Sequence, residues 1–277
     1  MKELLKRSLV GLLFILIVGA GLLCSHLLFL FLFGFALCWT MHEFYNMSMG
    51  KDFLPSRILT TLSALMLFAG LLFCRLGDLE PTMLLLCLLP LLAAILLPIW
   101  QGSLDKQGEM AYCLAGLLII GLPFALLPLL AVRQGVFDGR LPLALMLIVW
   151  LSDVGAYFLG TALGQRPGAW KLAPKISPKK SIWGLIGGIV MAMFCSWLFG
   201  RLGIIPLNGV HTLIFGAVLS CLGTLGDLQE SMWKRYFKLK DSGNILPGHG
   251  GLFDRFDSCL TALPAAIVYL ELLAPLQ

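Results

Sequence analysis

The chain has 277 residues, 59% of them hydrophobic and 13% charged, and its mean hydropathy is +0.92. A soluble domain is about 45–50% apolar and about 25% charged, so this composition excludes a water-soluble globule and points to lipid as the solvent. The net charge of +5 fits loops lying near anionic headgroups, and nucleic acid is not expected as a partner.

A bilayer core needs about 20 apolar residues per helix. On that measure the sequence predicts an all-α, polytopic transmembrane helix bundle of about nine membrane helices, at 8–23, 26–41, 57–76, 82–100, 110–132, 141–163, 184–201, 209–226 and 258–275. The basic start, with Lys2, Lys6 and Arg7, resembles a signal peptide, but the apolar run continues to Cys38 and reads as retained helix. Ser25 and His26 separate the first two spans, and Asp, Gly and Pro breakers mark the later joints. Residues 1–140 form one expected set of transmembrane helices, and 141–277 a second that carries the catalytic loops. The eight cysteines include no C-x-x-C pair and no zinc spacing, so buried apolar thiols are expected.

Charge sets the expected orientation. The loops at 42–57, 101–109, 164–183 and 227–257 share one side and hold 13 of the 20 Lys and Arg residues. That side is expected to be cytoplasmic. The basic N-terminus then falls on the poorer side, unless 8–41 is one tilted helix with a re-entrant piece.

Polar residues inside the apolar runs are few. Asp153 is the clearest intramembrane acid, with Tyr157 one turn away, and such acids are functional candidates. His42 and Glu43 lie at a helix end and read as interfacial. Gly184 and Gly188 form a Gly-x-x-x-Gly step suited to close helix packing.

Two loops carry the chemistry. The first, 164–181, holds Arg166, Lys171, Lys175, Lys179 and Lys180 and no acid, stiffened by Pro174 and Pro178. It reads either as a solvated basic loop set by topology or as a phosphate-attracting rim. The second runs from Asp227 to Asp257. Its start reads as a helix with Asp227, Glu230, Ser231 and Lys234 on one face, which must line a wet cavity or a protein interior. Glycines 248, 250 and 251 then lead into the last apolar run, where backbone N–H groups can approach an anion. Asp254 and Asp257 are one turn apart at that helix start. Carboxylates with phosphates are the usual setting of Mg²⁺, so Asp227 and Asp254 are the expected metal ligands. Lys234, Arg235 and Arg255 are placed to neutralise phosphoryl oxygens. His249 reads equally as structural or as a phosphate or proton-transfer group.

These residues resemble a known family. Ser231, Lys234-Arg235, Lys240-Asp241, Gly243, Leu246-Pro247, His249 to Leu252, Asp254-Arg255 and Phe256-Asp257 are similar to the C-terminal motif of the phosphatidate cytidylyltransferases, or CDP-diacylglycerol synthases. The blocks 152–158 and 171–180 also resemble the family, and Glu43-Phe44-Tyr45 does so weakly. Trp233 stands where the family has a smaller apolar residue, and no polar residue precedes Gly184 after Ser181, Ile182 and Trp183. The resemblance implies a nucleotidyltransferase of phospholipid synthesis that condenses CTP with phosphatidic acid, giving CDP-diacylglycerol and pyrophosphate. It implies Mg²⁺, with a second cation as an option. It also implies an integral membrane protein, in a bacterial inner membrane with the site facing the cytoplasm, with a homodimer left open. Carried over by residue, Asp227 and Asp254 hold metal, and with Lys234, His249 and Arg255 they form the catalytic set. Ser231, Arg235, Lys240, Asp241, Lys175, Lys180 and Asp257 contact or position substrate. The competing expectations are a CTP-dependent membrane enzyme acting on another lipid, and a non-catalytic lipid-binding or transport protein.

Overall fold

The computed structural model describes residues 2–49, 53–100, 107–246, 248 and 250–273. The described residues form eleven α-helices and two small β-hairpins, with short 3₁₀ and π stretches between. Seven helical segments are long and apolar enough to cross a membrane, and two shorter apolar helices, Leu9–Leu23 and Pro81–Leu97, occupy the first and fourth expected spans. The protein is therefore an all-α polytopic membrane protein. Large apolar side chains are left exposed, among them Phe31, Leu89, Leu96 and Ile99, as a chain solvated by lipid requires.

The chain divides into two compact units. The first comprises 1–139 and 239–255. In it, α1 (Lys2–Leu23) ends where the composition places a break, and α2 (His26–Met49) begins with Ser25 Oγ accepting from the Leu28 N–H at 3.1 Å. Then come α3 (Leu54–Leu76), a 3₁₀ turn, α4 (Leu88–Trp100) and α5 (Gln107–Gly116). A π turn (Leu117–Gly121) joins α5 to the short helices α6 (Leu122–Ala125) and α7 (Pro128–Ala131). Pro123 and Pro128 sit at the starts of these pieces, where a missing N–H is tolerated. A hairpin of β1 (Val132–Arg133) and β2 (Val136–Phe137) follows. Its turn has positive φ at Gln134 and Gly135, the geometry that suits the right-handed strand twist. Phe29 packs on Phe33 and Phe68 with ring centroids 5.1 and 5.3 Å apart. Leu37, Met41, Phe44 and Tyr45 continue this core along α2. The Tyr45 hydroxyl reaches the Cys113 carbonyl at 3.0 Å, so a buried phenol is satisfied.

The second unit comprises 140–238 and 256–277. It contains α8 (Arg140–Ala162), a hairpin of β3 (Lys171–Ala173) and β4 (Ser177–Ser181), α9 (Ile182–Arg201), α10 (Val210–Tyr236) and most of α11 (Phe253–Leu273). Without a hydrophobic drive between helices in lipid, small residues and tight backbone contact hold these together. A Cβ at Gly155 would meet the Gly187 carbonyl at 2.6 Å, and one at Gly187 would meet the Gly155 carbonyl at 2.5 Å. Gly184 and Gly188 lie against the carbonyls of Ala156 and Ser152, so the Gly-x-x-x-Gly step is a packing device. Thr261 Oγ1 donates to the Leu222 carbonyl at 2.6 Å, joining α11 to α10.

Two helix bounds move the polar residues. The apolar span expected at 209–226 and the helical stretch expected from Asp227 form one continuous helix, α10, to Tyr236, and α11 begins at Phe253 rather than 258. A charged turn ends a span in lipid, but not where its face is buried in protein, as Glu230 and Ser231 are. The eight cysteines are free thiols. Only Cys113, Cys195 and Cys259 are buried, and Cys24 is exposed, because an apolar thiol can face lipid as well as core.

Candidate active site

The cytoplasm-facing end expected for α10 carries a compact charge group in the second unit. Asp227, Glu230 and Ser231 share one helix face, and Asp227, Glu230 and Asp257 place carboxylate oxygens within 4.8 Å of one another. Ser231 Oγ lies 3.3 Å from Asp227 Oδ1. Glu230 is 1% exposed and pairs with Lys234 one turn on, Nζ to Oε2 2.6 Å. Asp227 pairs with Lys180 Nζ at 2.5 Å. Asp257 accepts from its neighbour, the Ser258 N–H, at 2.6 Å. Its position depends on Gly226, where any Cβ would collide with Thr261 and the Asp257 carbonyl. Asp153 on α8 is close enough to act on Asp257 electrostatically.

Lys180 reaches this group because of the hairpin. Its strands pair Lys171 with Ser181 and Ala173 with Ser177, with an irregularity between. Lys171 Nζ donates to the Gly164 carbonyl and to Gln165 Oε1 at 2.7 and 2.9 Å, and Gln165 Nε2 donates to the Lys179 carbonyl at 2.8 Å. Lys171, expected as one cation of the basic loop, is thus a strut within it. Ser181 ends β4 and caps α9, accepting from the Gly184 N–H at 3.1 Å. The cap accounts for a hydroxyl at 181, and nothing in the structure explains the missing polar residue before Gly184. Arg235 Nε reaches the Ile176 carbonyl at 3.4 Å, and Lys175 stands exposed at the tip.

The remaining expected residues belong to the first unit. Lys240 and Asp241 are exposed, and Arg255 is half-buried with a buried Nε that has no hydrogen-bond partner. His249 lies outside the described residues, as does Pro247. Asp254 also lies in the first unit. Its Oδ2 accepts from the Ser242 N–H at 3.0 Å, Ser242 Oγ at 2.9 Å and the Gly251 N–H at 2.8 Å. Ser242 also reaches Glu43 of α2. Glu43 had read as interfacial. It is instead 4% exposed and bonded to a segment about 200 residues away, a contact that no local spacing discloses.

The second unit's group brings together three carboxylates and two ammonium groups. Clustered carboxylates repel, and burial strengthens that repulsion. The donor set is all oxygen, which suits a hard divalent ion such as Mg²⁺. The two lysines hold part of the negative charge and leave one carboxylate, Asp257, without an ammonium partner among the described residues. The residues therefore fit a divalent cation.

The sequence pattern of the cytidylyltransferase family matches residues 5–273. The phosphatidate cytidylyltransferase of Bacillus subtilis is 48% identical over 117 residues, 42% of this chain and 42% of that protein. That of Staphylococcus haemolyticus is 41% identical over 157 residues, 56% of this chain and 57% of its own length. A Staphylococcus aureus relative of the same name is 48% identical over 122 residues, 43% of this chain and 44% of that protein. The chain thus aligns with about half the length of these curated relatives.

Proposed function

Because the chain belongs to the cytidylyltransferase family, we propose that it is a CTP:phosphatidate cytidylyltransferase of phospholipid synthesis. The observation that carries this reading is the charge group of Lys180, Asp227, Glu230, Lys234 and Asp257 in one unit of a membrane protein. Acids and cations at the end of a transmembrane helix are what a phosphate-handling lipid enzyme needs.

In the reaction, a phosphate oxygen of phosphatidic acid attacks the α-phosphorus of CTP. The new P–O bond forms CDP-diacylglycerol. The bond from that phosphorus to the oxygen bridging to the β-phosphate breaks, and pyrophosphate leaves with the electron pair. Little covalent work falls to the protein in such a transfer, so positioning and charge neutralisation dominate. Lys180 and Lys234 are the cations of this group, and they can exchange a carboxylate partner for a phosphate oxygen. Ser231 holds Asp227 in place. Asp227, Glu230 and Asp257 would hold Mg²⁺, which supplies charge neutralisation at phosphate oxygens. Lys175, Arg235, Lys240, Asp241, His249 and Arg255 remain substrate-contact residues on the strength of the family motif. The expected setting is a bacterial inner membrane with this chemistry on the cytoplasmic side.

The test is purified protein with CTP, phosphatidic acid and Mg²⁺, scoring pyrophosphate release. Release is expected, and its loss with chelator follows. Asp227→Asn and Asp257→Asn should each abolish turnover or raise the Mg²⁺ requirement at least about tenfold. Asp254→Asn is run beside them: a raised Mg²⁺ requirement there, with none in Asp257→Asn, returns Asp254 to the ligand set and removes Asp257. No release with phosphatidic acid, but release with a different lipid acceptor, would refute the substrate assignment.

A further inference from the structure

The reaction as described leaves Glu43 unused, yet it is one of the most thoroughly engaged acids in the molecule. Its Oε2 accepts from the Phe253 N–H at 2.9 Å and from Ser242 Oγ at 3.2 Å, and its Oε1 accepts from Trp39 Nε1 at 2.9 Å. The next residue, Phe44, sets its ring edge-on to Phe253, centroids 6.0 Å apart. Gly243 and Gly251 flank the carboxylate so closely that a Cβ at either would collide with it. One side chain of α2 therefore contacts both ends of the segment 242–253.

An ordinary apolar residue on α2 would fill this space without desolvating a charge. An ordinary helix start would satisfy the Phe253 N–H with a local cap. Here the orphan donor of α11 is met from α2 instead, and the same carboxylate fixes Ser242. The Ser242 N–H in turn donates to Asp254 Oδ2 at 3.0 Å, which also gathers the Gly251 N–H. The glycines needed for the close approach belong to the family motif itself. Their place beside Glu43 is a reason for glycine at both positions, neither of which has a positive φ.

We infer that Glu43 is a positioning residue for the proposed reaction, holding Ser242 and Phe253 so that the proposed substrate-contact residues beside them, Lys240, Asp241 and Arg255, keep their backbone fixed. This rests on the function proposed above. Glu43 touches no substrate in this reading and acts through the segment.

The test compares the full-length protein with Glu43→Gln and, separately, Ser242→Ala, by hydrogen–deuterium exchange and steady-state kinetics. Glu43→Gln keeps the volume but puts a donor where two donors need an acceptor. Amides of 242–253 are expected to exchange about tenfold faster. The KM for CTP should rise about tenfold while the apparent KM for phosphatidic acid stays within about twofold. Ser242→Ala should move the same quantities in the same direction by less, and it serves if Glu43→Gln does not fold. Unchanged exchange overturns the inference. So does faster exchange with unaltered kinetic constants, and so does a uniform fall in kcat that tracks lost thermal stability alone. Failure of wild-type protein to release pyrophosphate refutes the proposed function instead, and the exchange result then decides Glu43's hold on the segment by itself.

Discussion

Lys234→Met tests the physics of the charge group directly. The substitution keeps a long apolar stem and removes the ammonium that lies 2.6 Å from Glu230 Oε2. At that separation, with an effective dielectric of about 20, the gross attraction is about 6 kcal/mol. Desolvation offsets part of it in the intact pair. Glu230, 1% exposed, has no route to water that would recover its hydration when the partner goes. Breaking such a pair costs about 3–5 kcal/mol. For a chain of this size that corresponds to a fall in Tm of about 10 °C. The assay is thermal unfolding of detergent-solubilised protein, followed by intrinsic tryptophan fluorescence. The double variant Glu230→Gln/Lys234→Met removes both charges and should recover most of the loss, because the carboxylate stranded in the single variant is then neutral. A single variant as stable as wild type would refute the argument. A double variant no better than the single would also refute it, since the cost would then lie in packing and not in charge.

Three further outcomes are expected. Gly187→Ala drives a Cβ into the Gly155 carbonyl and should destabilise the protein by about 1–3 kcal/mol; Gly19→Ala, where nothing lies within 4 Å, should be neutral or slightly stabilising in the same unfolding measurement. Lys180→Met should lower kcat/KM for CTP at least about tenfold with little change in Tm, because Asp227 is 30% exposed and can be hydrated. In a background lacking the native cysteines, single cysteines placed in 165–180 and in 236–248 should react with a membrane-impermeant thiol reagent from the same side; labelling from opposite sides would refute the orientation read from the loop charges.

Much of the architecture is legible because lipid imposes one rule, that a spanning helix be apolar for about 20 residues. Nine such runs are readable, and each corresponds to an apolar helix, seven of them long enough to span. The rule misplaces ends where protein rather than lipid surrounds a charge. The apolar span closes at 226, yet the helix read from Asp227 onward is continuous with it in α10, and Glu230 and Ser231 on that face are buried in the protein. The helical face of Asp227, Glu230, Ser231 and Lys234 follows from spacing alone. What spacing cannot supply is the third dimension. Asp257 joins Asp227 across 30 positions, Lys180 arrives on a hairpin that composition presented as a loop, and Glu43 reaches Phe253 across 210. The hairpin was hidden for a further reason. Two prolines and four lysines in 171–180 argue against strand, and it forms because its ends are tied by Gln165, Lys171 and the cap at Ser181.

The length of α10 has a consequence for where a lipid meets these groups. At about 1.5 Å per residue its 27 residues reach about 40 Å, against a hydrocarbon thickness of about 30 Å. Counted from Val210, the oily layer is used up after about 20 residues, which is where the turn from Asp227 to Lys234 lies. Such a helix works as a depth gauge. It carries its charges to the level at which a phospholipid keeps its phosphate, so under the proposed function an acyl chain would stay in the bilayer while its headgroup reacts.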